Sequence, residues 1–234
     1  MEILVVENLV AGYQSANVLQ GISISITEGE IVSVVGRNGV GKTTLVKSIM
    51  GLLEARSGSV AFAGDNMNSH SADQRARKGI GYVPQGRGIF PELTVLDNLR
   101  MGGFIGPRRK TLDIESTMTY FPFLRDRLHQ RGGTLSGGQQ EMLAIARALI
   151  NKPKLIILDE PSDGVQPSIV DDIGQFLLGL KRDGIASVLL IEQNFDLLQT
   201  VSDRAYAIEK GMVSDQLSAE DLKDDDILAA HIAV

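Results

Sequence analysis

The chain contains no cysteine. That excludes a disulfide framework and a thiolate metal site, and it suits a reducing compartment. Its three histidines, His70, His129 and His231, are scattered and show no ligand spacing. An excess of positive charge is also missing, since the formal net charge is −6. The basic footprint of a nucleic-acid binder is therefore absent, and no nucleic-acid partner is expected. The start, Met1-Glu2-Ile3-Leu4, lacks the positive segment and cleavage site of a signal peptide. The longest apolar runs, such as Leu155–Leu158 and Val188–Ile191, fall far short of the roughly 20 residues that cross a bilayer. Any passage through a membrane would have to be supplied by another chain. No internal repeat or low-complexity tract is present.

With 234 residues the chain has room for one sizeable α/β unit whose core needs no covalent staples. Short aliphatic runs predict strands at Ile3–Val6, Ile22–Ile26, Ile31–Val35, Val60–Ala63, Ile80–Val83, Leu155–Leu158, Val188–Ile191 and Ala205–Ile208. Three of them (Ile31–Val35, Leu155–Leu158 and Val188–Ile191) suit parallel strands buried on both faces. The alternation in Ile22-Ser23-Ile24-Ser25-Ile26 suits a half-exposed antiparallel strand. The expected architecture is α/β, a mixed sheet core with an antiparallel β edge subdomain. The segment from about Thr94 to Ile150 has no convincing strand and reads as helices broken at Gly102-Gly103, Pro107, Pro122 and Gly132-Gly133. Its last helix, about Gly137–Ile150, carries apolar residues at helical spacing. The expected division is 1–85 and 151–213 for the core with its β subdomain, about 86–150 for a helical subdomain, and 214–234 for a short helical tail.

Gly36-Arg37-Asn38-Gly39-Val40-Gly41-Lys42-Thr43 follows the predicted strand Ile31–Val35 and precedes a helix beginning near Thr44. This strand–loop–helix context is what a phosphate-binding loop requires. Glycines let the backbone turn its N–H groups toward phosphate oxygens, and the helix start adds positive dipole character. Lys42 would reach the β- and γ-phosphates of ATP, and the Thr43 hydroxyl would ligate Mg²⁺. Leu155-Ile156-Ile157-Leu158-Asp159-Glu160 ends a buried strand in two carboxylates at the edge where α/β proteins bind ligands. Asp159 would hold the metal, and Glu160 could polarise an attacking water.

Leu135-Ser136-Gly137-Gly138-Gln139, followed by a helix and then the acidic strand, resembles the signature of the ABC ATPase family. The same residues would also serve as an ordinary helix cap. The resemblance covers nearly the whole chain and implies a P-loop NTPase fold of the ABC ATPase type. It further implies that Tyr13 stacks on adenine, that Thr44 completes the nucleotide loop, and that Gln85 contacts Mg²⁺ while joining the core to the helical subdomain. In this family the signature closes over ATP held by a second subunit, in a head-to-tail dimer. Two positions depart from the commonest pattern. Gln193 stands where a switch histidine is usual, and it can donate a hydrogen bond but carries no charge. Gln166 stands where an aspartate is usual, with Asp163 nearby. A degenerate site and a branch-specific variant both fit these departures, and the intact Lys42, Thr43, Gln85, Asp159 and Glu160 favour the variant.

Glu192-Gln193-Asn194 and Gly86-Arg87-Gly88-Ile89-Phe90-Pro91 resemble the second ATPase subunit of importers for branched-chain amino acids, urea and short-chain amides. Gly39-Val40-Gly41, Gly138-Gln139-Gln140 and Val165–Ile169 lean toward the urea and amide members. That resemblance implies a partner ATPase chain (a hetero- or homodimer), integral-membrane permeases and, indirectly, a periplasmic or extracellular solute-binding protein. It also implies a peripheral place on the cytoplasmic face of a bacterial inner membrane. The competing readings are an exporter ATPase for lipid or polysaccharide, a soluble non-transport ABC ATPase, and a non-hydrolysing regulator.

Overall fold

The structure is a computed structural model that describes residues 1–105 and 112–232. The strands are β1 (Glu2–Ala11), β2 (Leu19–Thr27), β3 (Ile31–Val35), β4 (Ser57–Phe62), β5 (Asp65–Asn66), β6 (Ile80–Val83), β7 (Leu155–Asp159), β8 (Ser187–Ile191), β9 (Arg204–Glu209) and β10 (Met212–Ser218). The helices are α1 (Lys42–Ile49), α2 (Ala72–Lys78), α3 (Val95–Gly102), α4 (Ile114–Tyr120), α5 (Gly137–Leu149), α6 (Pro167–Arg182), α7 (Phe195–Val201) and α8 (Asp225–Ile232).

Two sheets form. One is antiparallel, in the order β2-β1-β4-β5, and the other runs β10-β9-β3-β8-β7-β6. In the second sheet every pairing is parallel except β10 with β9. Strands β3, β7 and β8 are buried along their whole length because each feeds two cores. Val32, Val34, Ile157 and Leu189 pack with α1 and the antiparallel sheet, while Ile156, Leu158, Val188 and Leu190 pack with α5 and α6. A period of two that is apolar on both faces gives the unbroken aliphatic runs read in the sequence. Each such side chain is worth about 1.5–3 kcal/mol of burial. In β2 only one face is covered, so Ile22, Ile24 and Ile26 are buried while Ser23 is exposed.

Each predicted strand forms. The expected helical tail from 214 is corrected, because β10 continues through Ser218 and helix α8 begins only at Asp225. The β10 strand carries little hydrophobic pattern because it is a polar edge. Only Leu217 is buried, and its register is held by antiparallel pairing with β9. Helix α8 packs Leu228 and Ile232 with Leu217, Ala205 and Ala207 on the buried face of β9 and β10. Between Thr94 and Ile150 the described residues carry α3, α4, α5 and 3-10 turns at Pro122–Arg127 and Gly132–Thr134, close to the expected breaks. The break expected at Pro107 lies outside the described residues.

Candidate functional site

The carboxyl ends of β3, β8, β7 and β6 lie side by side, and the site grows from the four loops that leave them. After β3, Gly36 adopts φ +148, and a Cβ there would sit 2.5 Å from the Ile208 carbonyl oxygen. No side chain fits, so the chain turns sharply only because this residue is glycine. The loop's far side is tied down where the Gly211 N–H donates to the Val40 carbonyl at 3.0 Å. Lys42 opens α1 and arcs back over the loop. Its ammonium donates to the Gly36 carbonyl at 2.6 Å and the Arg37 carbonyl at 3.2 Å. It is only 5% exposed and lies 3.4 Å from Glu160 Oε1.

Past β7, Glu160 takes φ +52, a left-handed conformation that costs a non-glycine residue roughly 1–2 kcal/mol. Its N–H donates to the Ile191 carbonyl at 2.9 Å, which pins this turn to the end of β8. The carboxylate then gathers the site. Gln193 Nε2 donates to Oε1 at 2.7 Å, and Gln85 Nε2 donates to Oε2 at 2.9 Å. Gln193 also donates to Asn38 Oδ1 at 2.9 Å, and Gln85 to Asp163 Oδ2 at 3.3 Å. Three loops thus meet on one acid.

Asp159 lies beneath, 2% exposed. Burial, and after it the Glu160 carboxylate, pushes its acid up to about 6, against the pull of the Thr43 hydroxyl and Lys42. Its Oδ2 is 3.5 Å from the Tyr82 hydroxyl, while Oδ1 is buried with no hydrogen-bond partner among the described residues. An orphaned buried carboxylate oxygen is costly and invites a cation.

The resulting open cleft has a volume of about 770 Å³. It is lined by Asn38, Gly39, Gly41, Lys42, Thr43 and Thr44 from the glycine loop and α1, with Gln85, Glu160 and Gln193 opposite. Gly36, Arg37 and Val40 shape the loop without lining the cleft. Tyr13 sits on the β1–β2 loop, 47% exposed, with Lys47 Nζ 6.0 Å from its ring centroid. It is not part of the lining, although Val18 of the same loop is. Ser136, Gly137, Gly138 and Gln139 are also outside the lining. They form a capping box at the start of α5: the Gln139 N–H donates to Ser136 Oγ at 3.4 Å, and the Ser136 N–H donates to Gln139 Oε1 at 3.1 Å. Gly138 is buried against α6, where a Cβ would meet Ile169 at 2.6 Å. Of the two residues read after β7, Asp163 reaches the cleft, whereas Gln166 is the N-cap residue just before α6.

Glu192 was not singled out in the sequence. It is 2% exposed and accepts from the Gln193 N–H at 2.7 Å, the Asn194 N–H at 3.0 Å and Ser162 Oγ at 2.8 Å. Burial raises its acid, and those bonds oppose the rise. It fastens the loop after β7 to the loop after β8, so Gln193 and Glu160 are held at one spacing. The signal was available, since a carboxylate directly after the buried run Ser187–Ile191 repeats the logic of Asp159.

Glu141 on α5, 5% exposed, faces Arg87 Nε at 3.9 Å. Burial raises its acid from 4.5 to about 7, with Glu192 adding to the rise and Arg87 opposing it. The folded chain therefore holds a proton that the unfolded chain releases near 4.5, so stability falls as pH climbs from 4.5 to about 7. Glu141→Gln is expected to gain on the order of 1–2 kcal/mol over the parent at pH 8, and nothing near pH 4.5. Urea unfolding at both pH values measures this, and a pH-independent difference would contradict it.

The profile of the ABC transporter family matches residues 19–163. The chain belongs to the ABC transporter family. It is 41% identical to the high-affinity branched-chain amino acid transport ATP-binding protein BraG of Pseudomonas aeruginosa, over 86% of each chain. It is also 33% identical to the lipopolysaccharide export system ATP-binding protein LptB of Escherichia coli K12, over 99% of this chain and 98% of that one. Among solved structures, a nucleotide-free ATP-binding cassette from an ABC transporter superposes with a TM-score of 0.86 at 30% identity, covering 97% and 98% of the two chains.

This ABC cassette is an ATP-hydrolysing enzyme, and the expected fold is the one observed. Cassettes of the family bind nucleotide, dimerise and work with membrane permeases. Among the described residues no helix is long and apolar enough to cross a membrane.

Proposed function

We propose that this chain powers an importer for branched-chain amino acids, as one of two ATPase subunits bound to integral-membrane permeases at the cytoplasmic face of a bacterial membrane. The hydrolytic part of the reading rests chiefly on one observation: Lys42, Gln85 and Gln193 converge on Glu160. A carboxylate held by two amide donors and an ammonium is fixed in direction, as a group that orients and accepts a proton from an attacking water must be. Lys42 then supplies positive charge to the β- and γ-phosphates, and Gln193 steadies the γ-phosphate beside Glu160. Tyr13 takes the adenine ring.

Thr43, Gln85 and Asp159 would hold Mg²⁺, and the unpartnered Asp159 Oδ1 supports that assignment. Bound there, the ion would offset the charge of the triphosphate against two neighbouring carboxylates. The signature Ser136–Gln139 lies outside its own cleft, at the first turn of the 13-residue α5, where free N–H groups favour an anion. That placement supports completion of each site by a second ATPase subunit arranged head to tail. Closure on ATP and reopening after hydrolysis would move the permease.

Branched-chain amino acids are favoured as cargo by the 41% identity to BraG. The lean toward urea and amides rests only on the short strings near Gly39, Gly138 and Val165. Lipopolysaccharide export is the second reading, supported by the near-complete coverage of LptB. The test is reconstitution in liposomes with permeases and a solute-binding protein of a branched-chain amino acid importer. Leucine-loaded binding protein is expected to raise ATP turnover several-fold and drive leucine uptake. Stimulation by lipopolysaccharide instead, or by urea alone, would displace the proposal.

A further inference from the structure

Arg56 precedes β4, and its N–H donates to the Val10 carbonyl at 2.7 Å. That bond sets it beside the β1–β2 loop, residues 12–18, which carries Tyr13. The guanidinium then spans the loop. One nitrogen donates to the Gln14 carbonyl at 2.5 Å; the other donates to the Asn17 side-chain oxygen and, at 3.4 Å, to the Ser15 carbonyl. The loop's own ties are few: the Ala16 N–H donates to the Tyr13 carbonyl at 3.0 Å, and the Val18 N–H to the Ala11 carbonyl at 2.9 Å. Gln14 sits at φ +50, a conformation that a side-chain-bearing residue readily leaves when nothing restrains it. Arg56 is exposed, lies outside the cleft and has no part in the hydrolytic chemistry.

We infer that Arg56 is a positioning residue for nucleotide affinity, a clamp that presets the Tyr13 loop so that the base of the nucleotide meets a formed surface. The inference rests on the reading of Tyr13 as the adenine platform. The reasoning is one of preorganisation. A loop held in its bound shape before the ligand arrives does not lose that freedom on binding, and the saving appears as affinity. A guanidinium suits the task because its planar fork of donors reaches several acceptors at once. Lysine, with one compact ammonium, reaches fewer. The clamp acts on the base and not on the phosphates, so its removal has a signature that general loosening of the fold lacks.

The experiment is titration calorimetry on the full chain with two probes, ADP and inorganic pyrophosphate. Arg56→Ala is expected to weaken ADP about 5-fold and to change pyrophosphate by less than about 2-fold, with Arg56→Lys between parent and alanine for ADP. Tyr13→Ala is expected to weaken ADP by a similar factor, and adding Arg56→Ala to it should cost less than about 2-fold more, because both act through one loop. If Tyr13→Ala weakens ADP while Arg56→Ala binds it as the parent does, the clamp is refuted and the adenine platform stands. Equal losses for ADP and pyrophosphate also refute the clamp. Parent-like ADP binding by Tyr13→Ala overturns the adenine platform and the clamp with it.

Discussion

Glu160→Gln is expected to bind ATP with close to parental affinity and to hydrolyse it at least about a hundredfold more slowly, the scale of a lost general base. Glutamine preserves shape, so the turn at φ +52 and the bond from its N–H to Ile191 persist. What it loses is the capacity to take a proton, together with one of two acceptor oxygens. Gln85 and Gln193 each donate to a different oxygen of Glu160. In the variant, one of them faces an NH₂ group and has to give up its present bond. For Gln193 that also strains the bond to Asn38, because the same Nε2 serves both partners. Phosphate release and equilibrium ATP binding, measured on the same preparation, separate the two effects. Parental turnover in this variant would remove Glu160 from the role of base.

The second large effect is expected at Lys42. Lys42→Ala should weaken ATP binding by about 10- to 100-fold while leaving the fold in place, the scale of one lost charge-assisted hydrogen bond at about 1.5–3 kcal/mol. The ammonium rests on the Gly36 and Arg37 carbonyls and beside Glu160. These contacts are local, and water entering the cleft can replace them. A bound triphosphate has no equivalent replacement. Its charge would face Asp159 and Glu160 without a neighbouring ammonium, and the adjacent carboxylates would repel it. Binding titrations with ATP, paired with thermal unfolding of both proteins, test the point. Unchanged ATP affinity, or loss of the fold itself, would contradict it.

Much of the site could be read from residue order alone. Gly36–Thr43 behind a β-branched run, and Asp159-Glu160 at the end of another, carry their meaning in local spacing, because loop shape and strand direction are local properties. The strands could be read for the same reason: β3, β7 and β8 are buried on both faces, and continuous aliphatic runs answer to that burial. The polar edge strand β10 left no such trace. Neither did Arg56, whose meaning depends on a loop some 40 residues earlier, the separations being 39, 41 and 42 positions.

From its sequence alone, then, this protein is an α/β chain with a phosphate-binding loop, an acidic strand end and a signature turn, in the order of an ABC ATPase. Those features follow from hydrophobic periodicity and from residues whose backbone demands are met within a few neighbours. Tertiary structure decided that Glu160 would be the meeting point of Gln85, 75 positions away, and Gln193, 33 positions away. It also decided that Ser136 would cap α5 outside its own cleft, and that Glu192 would lock two loops together. Contacts at such separations depend on which strands lie side by side in the sheet, and strand order follows from the packing of the whole core.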